Sequence, residues 1–163
     1  MRIAFDIDET LIPYGDEFPV ERSVLSPLLA PFFRERLRHG TISLLRDLSK
    51  RGCEIWIYTT SARSSSYLRT WLGLLGVRVG GVVNSDRHSK VVLDSTGRYP
   101  NCSKYPPAFG IDLLVDNSEG VAIEGRRFGF DVLVVETDDP DWSQKVLEAV
   151  RRREPSRGAL PTG

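Results

Sequence analysis

Of the 163 residues only two are cysteine (Cys53 and Cys102), two are histidine and one is methionine. Two cysteines cannot build a disulfide framework, and neither stands in a Cys-x-x-Cys or Cys/His ligand spacing, so no structural zinc site is expected. Net charge is absent as well. The 22 basic residues match 22 acidic ones, which removes the basic excess of proteins that track nucleic acid or acidic membranes. No stretch approaches the ~18 apolar residues of a membrane span. Asp6, Asp8 and Glu9 stand where a signal peptide needs an apolar core. A cytoplasmic enzyme or binding domain with reduced thiols is expected, in one unit over residues 1–153 with a polar, frayed tail over 154–163.

What is present is an alternation of two patterns. Short apolar runs at residues 3–7, 53–58, 79–83, 112–116 and 131–136 read as strands, and near-continuous apolar character suits a parallel sheet covered on both faces. Between them, residues 41–51 place Leu44, Leu45 and Leu48 on one helical face and stop at Gly52. Residues 64–75 do the same with Leu68, Trp71, Leu72 and Leu75 before Gly76, and 118–128 close at Gly129. A last helix is expected to begin with Asp139 as N-cap and Pro140 at its first position. The pattern predicts an α/β fold, a doubly wound three-layer sandwich around a mainly parallel five-stranded sheet.

Two internal segments break the rhythm. Residues 12–38 hold Pro13, Pro19, Pro27 and Pro31, which exclude one long helix and suggest a flap followed by irregular chain. Residues 85–105 suggest a hairpin turning at 95–97. His39 and His88 read as surface residues, and Trp56, Trp71 and Trp142 as core.

Ligands of open α/β sheets bind beyond the carboxyl ends of the strands. Three strand ends carry chemistry: Asp6-Ile7-Asp8-Glu9-Thr10, Thr59-Thr60-Ser61 and Asp116-Asn117-Ser118-Glu119, with Lys104 upstream of the last. Acids gathered this way repel one another unless a cation or shared proton compensates. Oxygen donors without His or Cys select a hard ion, Mg²⁺, and a Mg²⁺ site of few carboxylates suits phosphate chemistry.

Asp6-Ile7-Asp8-Glu9-Thr10-Leu11 after an apolar strand resembles the DxDxT signature of the haloacid dehalogenase-like (HAD) superfamily of phosphohydrolases. Residues 53–59 resemble its second motif, Lys104 its third and Asp116-Asn117 its fourth, in the same order. The resemblance implies a Rossmann-like catalytic core and a Mg²⁺-dependent phosphomonoester hydrolase. It implies Asp6 as nucleophile and Asp8 as acid and then base. It implies Thr59 on a phosphoryl oxygen, Lys104 neutralising charge and orienting Asp6, and Mg²⁺ on the Asp6 carboxylate, the Asp8 carbonyl and Asn117, with Asp116 behind them. Lys90 competes with Lys104 for the third motif, but Lys104 lies 12 positions before Asp116, which suits a short approach into the strand. Asn117 departs from the acid many members carry there. The Asp-Asn-Ser string and Tyr58-Thr59-Thr60-Ser61 are similar to the carboxy-terminal-domain phosphatase branch.

The short intervals between motifs suggest a capless form with an open site, for a small or macromolecular phosphorylated substrate. Thr60, Ser61 and Arg63, at a helix start, are candidates to bind it. The apolar run 24–33 is a candidate contact for a second copy in a homodimer. The alternative is a phosphoacceptor domain or a catalytically weak phosphate-binding regulator. A receiver-type domain carries its phosphorylated Asp after the third strand, where this chain has Val83-Asn84-Ser85.

Overall fold

Successive residues of each apolar run point to opposite faces of one sheet, so a run buried on both sides needs apolar residues at every position. The computed structural model describes residues 1–15, 19–22, 29, 31–33 and 35–154. Its strands are β1 (Arg2–Phe5), β2 (Glu54–Tyr58), β3 (Gly81–Val83), β4 (Leu113–Asp116) and β5 (Val132–Val134). They pair in the order β3-β2-β1-β4-β5, with every pairing parallel. Ile3, Phe5, Ile55, Ile57, Leu113 and Val115 belong to one core, whereas Ala4, Trp56, Tyr58, Val83 and Leu114 belong to another on the opposite face. The expected doubly wound α/β architecture is therefore present.

The first core is closed by α1 (Thr41–Lys50), α2 (Ser65–Leu74) and α5 (Trp142–Arg153), and the second by α4 (Glu119–Phe128). Leu44, Leu45 and Leu48 of α1 are buried, as are Leu68, Trp71 and Leu72 of α2, because their spacing keeps them on one helical face. Ser64 and Ser118 cap α2 and α4 by accepting from Tyr67 N and Val121 N. Gly129 ends α4 at φ 73°, a left-handed conformation that costs glycine little. Trp56, Trp71 and Trp142 are all buried, as are the free thiols of Cys53 and Cys102.

The chain places β2 and β3 on one side of β1 and β4 and β5 on the other. The connection from β1 runs to one side and that from β4 to the other, which opens a crevice between their carboxyl ends.

Three expectations are corrected. Helix α5 starts at Trp142, not Pro140: the Asp139 side chain accepts from Asp141 N at 2.9 Å and folds the chain into a turn before the helix. Residues 85–105 are not a hairpin. Asn84 accepts from Arg87 N and starts a short helix, α3 (Ser85–His88), which runs into a π turn over Ser89–Leu93 and buries Val92 against the second core. A helix cap thus outweighed the β-branched pair Val91-Val92. Only the turn at 95–97 remains, closed by Arg98 N donating to Ser95 O. His88, expected at the surface, is buried.

In the 12–38 segment an antiparallel bridge joins Val20 to Arg38. Most of the apolar run 24–33, and with it the expected contact to a second copy, lies outside the described residues. So does the tail beyond Glu154. Phe32 is 72% exposed, while Phe33 stacks on Tyr67 at 5.5 Å between ring centres. Among the described residues no helix is long and apolar enough to cross a membrane.

Candidate active site

Strand β1 delivers Asp6 to the crevice, where its backbone N–H still pairs with Val115 O at 2.9 Å. The chain then turns sharply. Leu11 N and Ile12 N both donate to Ile7 O, and Glu9 adopts φ 59°, a costly conformation for a residue with a Cβ. This turn sets Asp8 beside the crevice and buries Thr10.

Of the two lysines, Lys104 is the one the fold brings to the strand ends. Its ammonium lies 2.6 Å from Asp6 Oδ1 and 2.6 Å from Asp116 Oδ2, and all three residues are buried. Lys90 is exposed. One positive charge therefore serves two carboxylates, leaving a net negative charge out of water. Burial, opposed by Lys104 and reinforced by Asp116, pushes the Asp6 carboxyl up to about 6 from its ordinary 3.8. Asp116 is fixed by its second oxygen, which accepts from Ser118 N at 2.9 Å. Asn117 accepts from Thr10 Oγ1 at 3.4 Å and donates to Glu9 Oε2 at 3.2 Å, so its amide joins the first strand end to the fourth.

Asp8 has partners of its own. Tyr14 OH donates to it at 2.6 Å and Arg63 Nη1 lies 2.9 Å away, while Arg63 Nε reaches Glu35 Oε1 at 2.6 Å. Burial alone would raise the Asp8 carboxyl, but the hydrogen bonds from Arg63 and Tyr14 outweigh it and hold the group below its ordinary range. Arg63, a candidate for substrate binding, is thus already matched by two carboxylates. Thr59 is buried at the end of β2, held by Thr59 N donating to Val83 O, and its hydroxyl accepts from Ser61 N at 3.1 Å. Thr60 and Ser61 follow it at the rim.

Tyr14, Glu35 and His88 stand outside the motifs, and Tyr58, inside the second, has a structural part that the motif did not reveal. Tyr58 OH accepts from Tyr105 N at 2.8 Å and lies 2.6 Å from His88 Nδ1, and His88 Nε2 lies 3.1 Å from Cys102 O. The carbonyl can only accept, so Nε2 carries the proton and Nδ1 accepts from the Tyr58 hydroxyl. Cys102 Sγ in turn donates to Lys104 O at 3.3 Å. Residues 100–105 have no helix or strand of their own, and this buried network fixes the stretch that carries Lys104. Replacing His88 by Phe leaves Tyr58 OH accepting from Tyr105 N but with no group to donate to, and leaves Cys102 O without the His88 donor. The expected cost is about 1–3 kcal/mol for each orphaned group, read as a lower urea midpoint at unchanged slope.

The donor set suits a hard cation. It consists of oxygens alone: the Asp6 and Asp116 carboxylates, the Asn117 amide and the main-chain carbonyls of the turn. Among the described residues no three His, Cys, Asp or Glu side chains group as metal ligands. A cation here would therefore draw on Asn117 and a backbone carbonyl besides Asp6. Burial first, and Asp116 after it, raise the Asp6 carboxyl, so a cation beside Asp6 would favour its ionised form.

No family model and no curated protein matches the chain. Solved structures of similar architecture are found at low identity. One is described as a HAD-like family hydrolase from Porphyromonas gingivalis, with 11% identity over 95% of this chain and 98% of that one and a TM-score of 0.48. Another is described as a 3-deoxy-D-manno-octulosonate 8-phosphate phosphatase from Vibrio cholerae, with 11% identity over 98% and 87% and a TM-score of 0.48. A third is a Pnkp1/Rnl/Hen1 complex, with 12% identity over 85% of this chain and 46% of that one and a TM-score of 0.46.

Proposed function

We propose that the chain is a HAD-type phosphomonoester hydrolase that works with Mg²⁺ through an aspartyl-phosphate on Asp6. The observation that carries this reading is the buried bridge in which Lys104 joins Asp6 to Asp116 at 2.6 Å each, at the carboxyl end of β1 and next to Asp8. An ionised Asp6 held by one oxygen presents the other as a nucleophile. Its attack on phosphorus forms the acyl phosphate while the proton carried by the monoanionic ester passes through Asp8, which Arg63 and Tyr14 hold ionised beforehand, to the leaving ester oxygen. Water, deprotonated by Asp8, then attacks the phosphorus and returns Asp6 as carboxylate with inorganic phosphate. Thr59 donates to a phosphoryl oxygen, and Lys104 keeps Asp6 ionised and oriented. Asp6, the Asp8 carbonyl and Asn117 would hold Mg²⁺, which would supply positive charge to the phosphoryl oxygens.

The pH dependence tests the charge balance. The Asp6 carboxyl is raised to about 6, so protons and Mg²⁺ compete for it below that pH. Adding Mg²⁺ to metal-free protein is therefore expected to raise Tm more at pH 7.5 than at pH 5. Differential scanning fluorimetry checks this, and an equal shift at both pH values would contradict it. Chelator is expected to abolish hydrolysis of an aryl phosphate.

A further inference from the structure

A cavity of about 430 Å³ opens beside Thr59, bounded by the β2 end, α3 with its π turn, residues 101–103 and α4. That is within the ~300–1,000 Å³ range of small-molecule sites. Thr59 lines this cavity, whereas Asp6, Asp8, Lys104 and Asp116 do not, so an ester whose phosphate reached Thr59 would extend its organic part toward the cavity. The walls offer hydroxyls from Thr60, Ser85, Ser89 and Ser103, the Asn101 amide and the Glu124 carboxylate. Ser103 grips Glu124 through both its backbone N–H, at 3.0 Å, and its hydroxyl, at 2.5 Å, which holds the carboxylate in place at the cavity wall. His88 also lines the cavity, but both its ring nitrogens are engaged by Tyr58 and Cys102. It serves as a rigid wall.

Among the described residues the lining contains no lysine or arginine and no Phe, Tyr or Trp face, and Leu93 is its exposed apolar side chain. A nucleotide or nucleic-acid end needs a stacking surface and cations for further phosphates, and an acidic phosphopeptide needs cations as well. Arg63 and Lys104 already serve two carboxylates each. Hydroxyls and an amide closely spaced around a compact space, with the Glu124 carboxylate as an anionic acceptor, match vicinal hydroxyls instead, each of which both donates and accepts.

We infer that this cavity is the subsite for the organic part of the substrate, and that it takes an uncharged polyhydroxylated alcohol, a sugar or polyol monophosphate. This inference rests on the phosphatase reading above and names its substrate class.

The test is kcat/KM of the full chain with Mg²⁺ on an aryl phosphate, glucose 6-phosphate, inositol monophosphate, AMP, a 5′-phosphorylated oligonucleotide and a phosphoserine peptide. At least one of the two polyol esters is expected to exceed AMP, oligonucleotide and peptide by about tenfold or more. Ser89→Trp, which fills the cavity, and Asn101→Ala, which removes one hydrogen-bonding group, are each expected to lower the polyol-to-aryl ratio about tenfold. Asn101 is exposed, so its variant stands if the larger substitution fails to fold. Preference for AMP, oligonucleotide or peptide, or a ratio unmoved by the variants, overturns the inference while leaving the phosphatase reading intact. If no ester is hydrolysed, aryl phosphate included, the phosphatase reading fails. Calorimetry with the two polyol esters then decides for the cavity: binding lost on substitution upholds it, and absence of binding overturns it.

Discussion

Asp6→Asn is expected to lower kcat on any phosphate ester by roughly 10⁴-fold or more, while the protein folds as well as before or better. The amide keeps the shape of the carboxylate but cannot form the acyl phosphate, so chemistry is lost. Stability moves the other way for an electrostatic reason. Burial and Asp116 raise the folded Asp6 carboxyl to about 6 from 3.8, so the folded protein binds the proton more tightly than the unfolded chain does. The stability this supplies is fully present below about pH 4 and is lost as pH rises through about 6. At pH 7 an ionised Asp6 therefore costs up to about 3 kcal/mol that a neutral amide does not. An inactive variant with unchanged or raised Tm at pH 7 marks a residue kept for chemistry. A variant that loses activity only because it unfolds would contradict this.

Lys104→Met is expected to fail in both respects. The apolar stem is replaced, but the charge that offsets two buried carboxylates disappears. Asp6 and Asp116 are left facing each other, and removing one partner of a buried ion pair costs about 3–5 kcal/mol. Acid relieves part of that cost by protonating Asp6, so the variant's Tm deficit should shrink from pH 7.5 to pH 5. Lys104→Arg keeps the charge but not the compact ammonium between two oxygens, and is expected to recover stability more than turnover. Paired thermal melts and aryl phosphate assays separate the two effects.

The opposite stability effects expected at Asp6 and Lys104 show why some of the site was legible in the sequence and some was not. Asp6, Thr59 and Asp116 stand at the ends of apolar strands, and a parallel sheet brings strand ends together whatever lies between. Lys104 was legible through its distance along the chain from Asp116. The helices over 41–51 and 64–75 were legible because leucine spacing agreed with a closing glycine, Gly52 and Gly76. Tyr14 and Glu35 were not, because they reach Asp8 and Arg63 from a proline-rich segment whose path no periodicity reports. His88 was misjudged as a surface residue because a lone histidine carries no pattern. Its burial depends on Tyr58 and Cys102, which lie 30 positions before it and 14 after it. Residues 85–105 misled for a related reason: two adjacent valines suggest a strand, but Asn84 caps a helix at that point and Val92 finds its apolar neighbours across the sheet.

The most direct test of a covalent route through Asp6 is a rapid acid quench during turnover of a ³²P-labelled aryl phosphate. An aryl leaving group needs little help from a proton, so Asp8→Asn should still form the intermediate while losing the base that activates water. Label is expected on the protein in the wild type and more of it in Asp8→Asn. It should be confined to the peptide containing Asp6, released by hydroxylamine and absent in Asp6→Asn. Phosphate release at a normal rate with no protein-bound label above the Asp6→Asn background would contradict the account.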